Sequence, residues 1–217
     1  MKIGIEGQRL FRVKKHGMDM VALELIRNLQ QIDKVNQYVI FINPDEDRTC
    51  LSETGNFKIV ELDGGFYPKW EQLALPKAAA QEKCDILHCT SNTAPLRGSI
   101  PLVLTLHDII YMEHSNLNLI FSQGTAYQRF GNLYRKFVVP RILKRADAVI
   151  TVSEFEKKRI GEYFKIQDDR LFAVYNGVSE YFMPVKDKET LDRVKKMYKL
   201  PDRFFFFLGN TVQKKNT

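Results

Sequence analysis

The chain lacks the features that mark several large protein classes. No apolar run approaches the roughly 18 to 20 residues that cross a bilayer, so any membrane contact would be peripheral. Cysteine is scarce and odd in number, with Cys50, Cys84 and Cys89 only. That argues against a disulfide-built secreted domain and makes a reducing cytoplasm the default setting. Acidic Glu6 and basic Arg9 interrupt the apolar opening, which therefore does not read as a signal peptide. Gly4, Gly7 and Gly17 form neither G-x-G-x-x-G nor G-x-x-x-x-G-K-[ST], which argues against an NAD fingerprint and a P-loop. There is no internal repeat and no low-complexity tract, and the G-x-S-x-G nucleophile elbow is missing around Ser153.

What is present suits a packed α/β domain. The 217 residues are 44% hydrophobic, enough for one large core and a fragment of another. Lys and Arg outnumber Asp and Glu by 33 to 26, for a formal charge of +7. Such a balance suits anionic partners: phosphates, nucleic acid or an acidic membrane surface. The aromatic residues follow apolar periodicity and are not interleaved with basic ones on an exposed strand, so no nucleic-acid stacking platform is evident.

Short apolar runs alternate with helical patterns. Strands are expected at Lys2 to Ile5, Tyr38 to Ile42, Phe57 to Leu62, Asp85 to His88, Pro101 to Leu106, Ala148 to Val152, Leu171 to Tyr175 and Phe204 to Leu208. Asp85 to His88 and Pro101 to Leu106 are both too apolar for one wet face, the mark of a parallel sheet covered on both sides. Met18 to Ile32 predicts a helix with Val21, Leu25, Ile26, Leu29 and Ile32 on one face. Further helices are expected at Trp70 to Lys83, kinked or divided by Pro76, and at Ala126 to Ala146, bent at Pro140. The second carries Phe130, Leu133, Tyr134, Phe137, Val138, Ile142 and Leu143 at helical spacing. Its basic residues Arg135, Lys136, Arg141, Lys144 and Arg145 fit a helix lying on an anionic bilayer or the solvated side of a buried helix. Ser153 is placed to cap a helix from Glu154 to Tyr163, and Asp187 to Tyr198 reads as a charged linking helix with little apolar face.

In open α/β sheets ligands collect at the carboxyl ends of the strands. That directs attention to Gly7 to Gly17, His88 to Thr93, His107-Asp108, Ser153-Glu154 and Asn176-Gly177. Gly7 reads equally as a tight turn or a functional glycine, whereas Gly17 stands where helix-start amides could accept an anion. His107 follows a buried run and precedes Asp108, whose carboxylate could orient a ring or a sugar hydroxyl. Cys84, His88 and Cys89 suggest zinc, but they straddle a strand and lack a fourth ligand, so no metal site is expected. Asp45-Glu46-Asp47 reads as a solvated turn.

Three segments together resemble the family 4 retaining glycosyltransferases of the GT-B fold. They are Val149 to Ile160 (VITVSEFEKKRI), Val174 to Val178 with Phe182 and Pro184, and Phe207 to Asn210 with Lys214 to Asn216. Pro101 to Ile109 and Cys84 to His88 agree with them. The resemblance implies a Rossmann-like parallel sheet flanked by helices, the N-terminal half of a two-domain enzyme. It divides the chain into an acceptor-side domain (1–185), a linking helix (186–201) and the start of a nucleotide-sugar-binding domain (202–217). It also implies that His16 and Gly17 close beside the donor diphosphate, although many members have a second glycine where this chain has His16. By the same resemblance His107 lines the cleft beside the transferred sugar, Lys215 grips the diphosphate, and Asn210 stands where some members place an arginine. Arg12, Asp108, Ser153, Asn176 and Gly177 are the expected substrate-binding residues.

The implied partners are a nucleoside-diphosphate sugar and a saccharide or lipid-linked acceptor, with no metal, no other cofactor and no nucleic acid. The implied setting is cytoplasmic, compatible with peripheral attachment to the inner face of a membrane, in bacterial-type surface polysaccharide or glycoconjugate synthesis. A non-catalytic Rossmann-like binding or assembly module is the alternative.

Overall fold

A computed structural model describes residues 1–113, 126–179 and 182–207. Seven parallel strands form one sheet in the order β3-β2-β1-β4-β5-β6-β7. They are β1 (Lys2–Glu6), β2 (Gln37–Ile42), β3 (Phe57–Glu61), β4 (Ile86–Cys89), β5 (Leu102–Thr105), β6 (Ala148–Thr151) and β7 (Leu171–Ala173). The helices are α1 (Gly17–Ile32), α2 (Tyr67–Lys69), α3 (Leu75–Gln81), α4 (Ile110–Glu113), α5 (Ala126–Arg145), α6 (Glu154–Phe164) and α7 (Lys188–Tyr198). Met1–Asn176 forms one compact unit and Gly177–Thr217 a second.

The chain steps outward from β1 to β2 and β3, then crosses back to β4 and continues the other way. The strand order therefore reverses between β1 and β4, where the following loops part and open a crevice at the carboxyl edge. Both faces of the sheet are covered, as the continuous apolar strands require. Ala22, Leu23 and Ile26 of α1 pack with Ile5, Tyr38, Ile40, Ile42 and Phe57. On the other face Trp70, Leu75 and Ala79, with Val138, Val139, Ile142 and Leu143 of α5, pack with Phe41, Leu87, Leu102, Leu104 and Val149. Trp70 is fully buried and its indole N–H donates to the Leu62 carbonyl at 2.8 Å. Truncating such a side chain costs about 3–5 kcal/mol.

Several expectations need correction. The buried side of α1 is Asp19, Ala22, Leu23 and Ile26, while Ile32 is exposed. Of the expected face Ile26 is fully buried and Leu29 packs against the core, but the face is turned because a buried carboxylate occupies one of its positions. In the stretch expected to be helical from Trp70, kinked or divided at Pro76, the chain is already helical at Tyr67, and a π turn spans Trp70–Ala74. Pro76 lies in the first turn of α3, directly after the π turn, and the chain stays helical through it. Helix α5 contains Pro140, as expected, but Phe130 and Phe137 on it are exposed and not in the core. The Arg141 guanidinium lies over the Phe137 ring, 3.7 Å from its centroid. Helix α7 carries Leu191, Val194 and Tyr198 at i, i+3 and i+7, an apolar stripe where little apolar face was expected. Phe204 to Phe207 form no strand; among the described residues their unit offers no other strand to pair with, and Leu208 lies outside those residues.

Candidate functional site

Strands β1, β4 and β5 are neighbours, and the loops at their carboxyl ends bring together the glycine loop, residues 90–93 and His107-Asp108. Gly7 is a packing glycine: a Cβ there would come within 2.7 Å of Leu10 Cδ1, and the Gly7 N–H donates to the Phe41 carbonyl at 2.8 Å. Gly17 is the opposite case, because a Cβ there would meet nothing within 4 Å. It opens α1 into free space at the end of the loop, so packing within the chain does not demand a glycine there.

That loop is held from three sides. His16 is the N-cap of α1, and its backbone N–H donates to Asp19 Oδ2 at 2.9 Å. Asp19, only 2% exposed, also sets Oδ1 3.1 Å from Arg9 Nε. Lys15 Nζ donates to the Arg12 carbonyl at 2.8 Å and pairs with Asp47. The Lys15 ammonium holds the Asp47 carboxyl below its usual range. Asp47 therefore anchors the loop, a role that the solvated-turn reading missed. Arg12 itself is partly buried through this turn.

His107 is half-buried at the end of β5. Its backbone N–H donates to Asn92 Oδ1 at 2.6 Å, and its ring Nε2 lies 3.0 Å from the Thr90 carbonyl oxygen. A carbonyl only accepts, so Nε2 carries the proton and Nδ1 is the basic nitrogen of the neutral ring. Burial lowers the imidazole's proton affinity; the Thr90 carbonyl and Asp108 oppose this, and Arg9 adds to it. Asp108 Oδ1 accepts the Ile110 N–H at 3.2 Å and so starts α4. Asn92 is 3% exposed and left-handed, with φ 68°. Asparagine tolerates that region better than most residues.

Two buried carboxylates flank the 90–93 loop. Glu6, 3% exposed, accepts the N–H of Gln8 on Oε1 and of Thr90 on Oε2, at 2.9 and 3.2 Å. Glu71, 2% exposed in the π turn, accepts from the hydroxyls of Tyr67, Thr93 and Tyr134 and from Gln72 Nε2. Burial raises the Glu71 carboxyl above its ordinary range, against the pull of those hydroxyls. Sequence reasoning singled out neither carboxylate. The one signal for Glu6 was a charged residue ending an apolar strand.

Two of the other expected residues, Ser153 and Asn176, follow β6 and β7 at the same edge of the sheet. Ser153, at the end of β6, caps α6 by accepting the Glu156 N–H at 3.2 Å, as the sequence suggested. Asn176 follows β7 and is exposed; Gly177 begins the second unit, and a Cβ there would meet nothing within 4 Å. Asn210 and Lys215 lie outside the described residues. His88 and Cys89 point to opposite faces: His88 Nε2 meets Thr105 Oγ1 at 2.8 Å, while Cys89 is buried in the core beneath α5. Among the described residues no group of three or more His, Cys, Asp or Glu could hold a metal ion, and no helix is long and apolar enough to cross a membrane.

Residues 16–180, more than half of the chain, match the model of Glycosyltransferase Family 4. The serotype-specific mannosyltransferase WbdA of Escherichia coli is 29% identical over 202 residues, 88% of this chain but 24% of the relative. Among solved structures, HepE of Anabaena in complex with UDP-glucose superposes with a TM-score of 0.61 at 15% identity, over 94% of this chain and 51% of that one. Sucrose-phosphate synthase from Thermosynechococcus elongatus gives 0.58 at 14% identity, over 92% and 53%. The chain thus spans about half the length of these solved proteins and about a quarter of the curated relative.

Proposed function

The chain belongs to glycosyltransferase family 4, and on that premise we propose that it is the acceptor-side half of a retaining enzyme that moves a sugar from a nucleoside diphosphate to a saccharide or lipid-linked acceptor. Its fold is the parallel, Rossmann-like sheet of the N-terminal domain of GT-B glycosyltransferases. The observation that supports the reading best is the crevice between β1 and β4, where His107 and the open start of α1 at Gly17 share one sheet edge. Relatives named for mannosyl transfer and for binding UDP-glucose agree with a nucleotide-sugar donor.

In this reading the leaving diphosphate gathers negative charge as the glycosidic bond breaks. The amides at the start of α1 and residues of a second domain, Lys215 and Asn210 among them, stabilise that charge without reorganising. The leaving phosphate takes the acceptor proton on the same face, which retains configuration. His107 positions and polarises the sugar, and Arg12, Asp108, Ser153, Asn176 and Gly177 line the approach. The outer face of α5, with Phe130 and Phe137 exposed beside Arg141 and Lys144, supports peripheral contact with an anionic membrane.

The test is a panel of nucleoside-diphosphate sugars offered to the complete protein with saccharide and lipid-linked acceptors. Transfer with retained anomeric configuration and without added metal is expected. The 217-residue chain alone is expected to transfer negligible sugar, because one wall of a cleft cannot hold the leaving group in register. Donor hydrolysis or transfer with inversion would contradict the proposal.

A further inference from the structure

We propose that Glu6 is a positioning residue for His107, acting through Thr90. Glu6 ends β1 and pairs across the sheet with Cys89, the last residue of β4. Just beyond that pair the two strands part, because the strand order reverses there, and ladder hydrogen bonds no longer tie one chain to the other. A carboxylate 3% exposed in that place is costly unless donors surround it. Here they do. The Gln8 N–H reaches Oε1, and the Thr90 N–H reaches Oε2. Thr90 Oγ1 lies 2.9 Å from the Glu6 backbone oxygen and 3.1 Å from Oε2, donating to one at a time.

Glu6 therefore replaces the missing ladder and fixes the Thr90 residue from its N–H and its hydroxyl. The next group along the chain is the Thr90 carbonyl, which takes the His107 Nε2 proton at 3.0 Å. With Asn92 holding the His107 backbone at 2.6 Å, ring and main chain are both fixed from the β4 loop. The consequence is chemical as well as geometric: the acceptor at Nε2 selects one neutral tautomer and leaves Nδ1 as the basic nitrogen. The importance of that tautomer for sugar transfer rests on the function proposed above. The existence of the link does not, and its test needs no activity.

The experiment is nitrogen NMR of the histidine rings in the chain, with wild type, Glu6→Gln, Thr90→Val and Thr90→Ser compared. Wild type should show His107 as the Nε2–H tautomer with a protected ring proton. Either orientation of the amide that Glu6→Gln introduces sets an NH2 group against an N–H donor. In that variant the tautomers should therefore mix, and the ring proton should exchange about tenfold faster, the equivalent of one ordinary hydrogen bond. Thr90→Val should move both readouts the same way, and Thr90→Ser, which keeps the hydroxyl, should restore them. A folded Glu6→Gln chain with an unchanged tautomer and exchange rate would overturn the proposal. If Glu6→Gln does not fold, Thr90→Val decides, and unchanged ring signals there overturn it equally. A complete protein inert toward every nucleotide sugar would count against the proposed function alone.

Discussion

Asn92 Oδ1 takes the backbone N–H of His107 at 2.6 Å, from a buried residue whose own backbone is left-handed at φ 68°. One side chain thus spans the ends of β4 and β5, and two separate properties of asparagine are used there. Asn92→Gly removes the acceptor but suits the backbone, and should cost about 1–2 kcal/mol. Asn92→Ala removes the acceptor and strains the backbone as well, for about 1 kcal/mol more. Urea midpoints of the two variants check this order; an alanine variant no less stable than the glycine variant would contradict it.

The two glycines that bracket the first loop should behave oppositely. Gly7→Ala meets Leu10 Cδ1 at 2.7 Å and should lose about 1–3 kcal/mol as Leu10 is displaced. Gly17→Ala meets nothing within 4 Å and enters the first turn of a helix, so stability should change by less than about 1 kcal/mol. In the complete protein Gly17→Ala should nonetheless weaken donor binding, as read by calorimetric titration with the nucleoside diphosphate. Unaltered binding would remove Gly17 from the site.

Asp19 joins the start of α1 to Arg9 while 2% exposed, so Asp19→Ala removes the buried carboxylate of this ion pair. A loss of about 3–5 kcal/mol is expected in denaturant unfolding. A loss under about 1 kcal/mol, the range of a surface pair, would mean that the ion pair does not hold the loop.

Acid should destabilise the fold through His88. Burial first, then the charge of His107, brings its imidazole down to about 4. Between that value and the ordinary 6.5 the unfolded chain binds a proton that the folded chain rejects. Stability is therefore lost as pH falls through that window, by at most about 1.4 kcal/mol per pH unit. Glu71, whose carboxyl is raised by burial, has the opposite sign: its contribution is lost as pH rises above the ordinary carboxylate range. The informative quantity is thus the difference between wild type and His88→Gln in urea unfolding from about pH 4 to 7, the window in which a histidine so shifted titrates. His88→Gln should flatten the acid side of the profile; parallel profiles would contradict the assignment.

The strands were legible because apolar runs such as Leu102 to Leu106 suit only a sheet covered on two faces. The place of His107 at the carboxyl edge was legible because it directly follows such a run. The buried side of α1 was not, since no hydrophobicity pattern places Asp19 inward without knowledge that Arg9 meets it. Glu6, Glu71 and Asp47 were illegible for a related reason. Each is a carboxylate with donors far away in sequence, as many as 84 residues for Glu6 and Thr90, and only folding brings them together. The Phe204 to Phe207 run has strand composition, but pairing requires a neighbour that composition does not supply.

The most direct measurement is the initial rate of the complete protein carrying His107→Ala, at saturating donor, beside thermal melts of the same variant. Removing a positioned, polarising group should lower kcat by about 10²- to 10⁴-fold while the melting temperature stays near that of wild type. A well-folded variant with unchanged kinetics would contradict the account, as would a loss of rate that only follows the fraction unfolded.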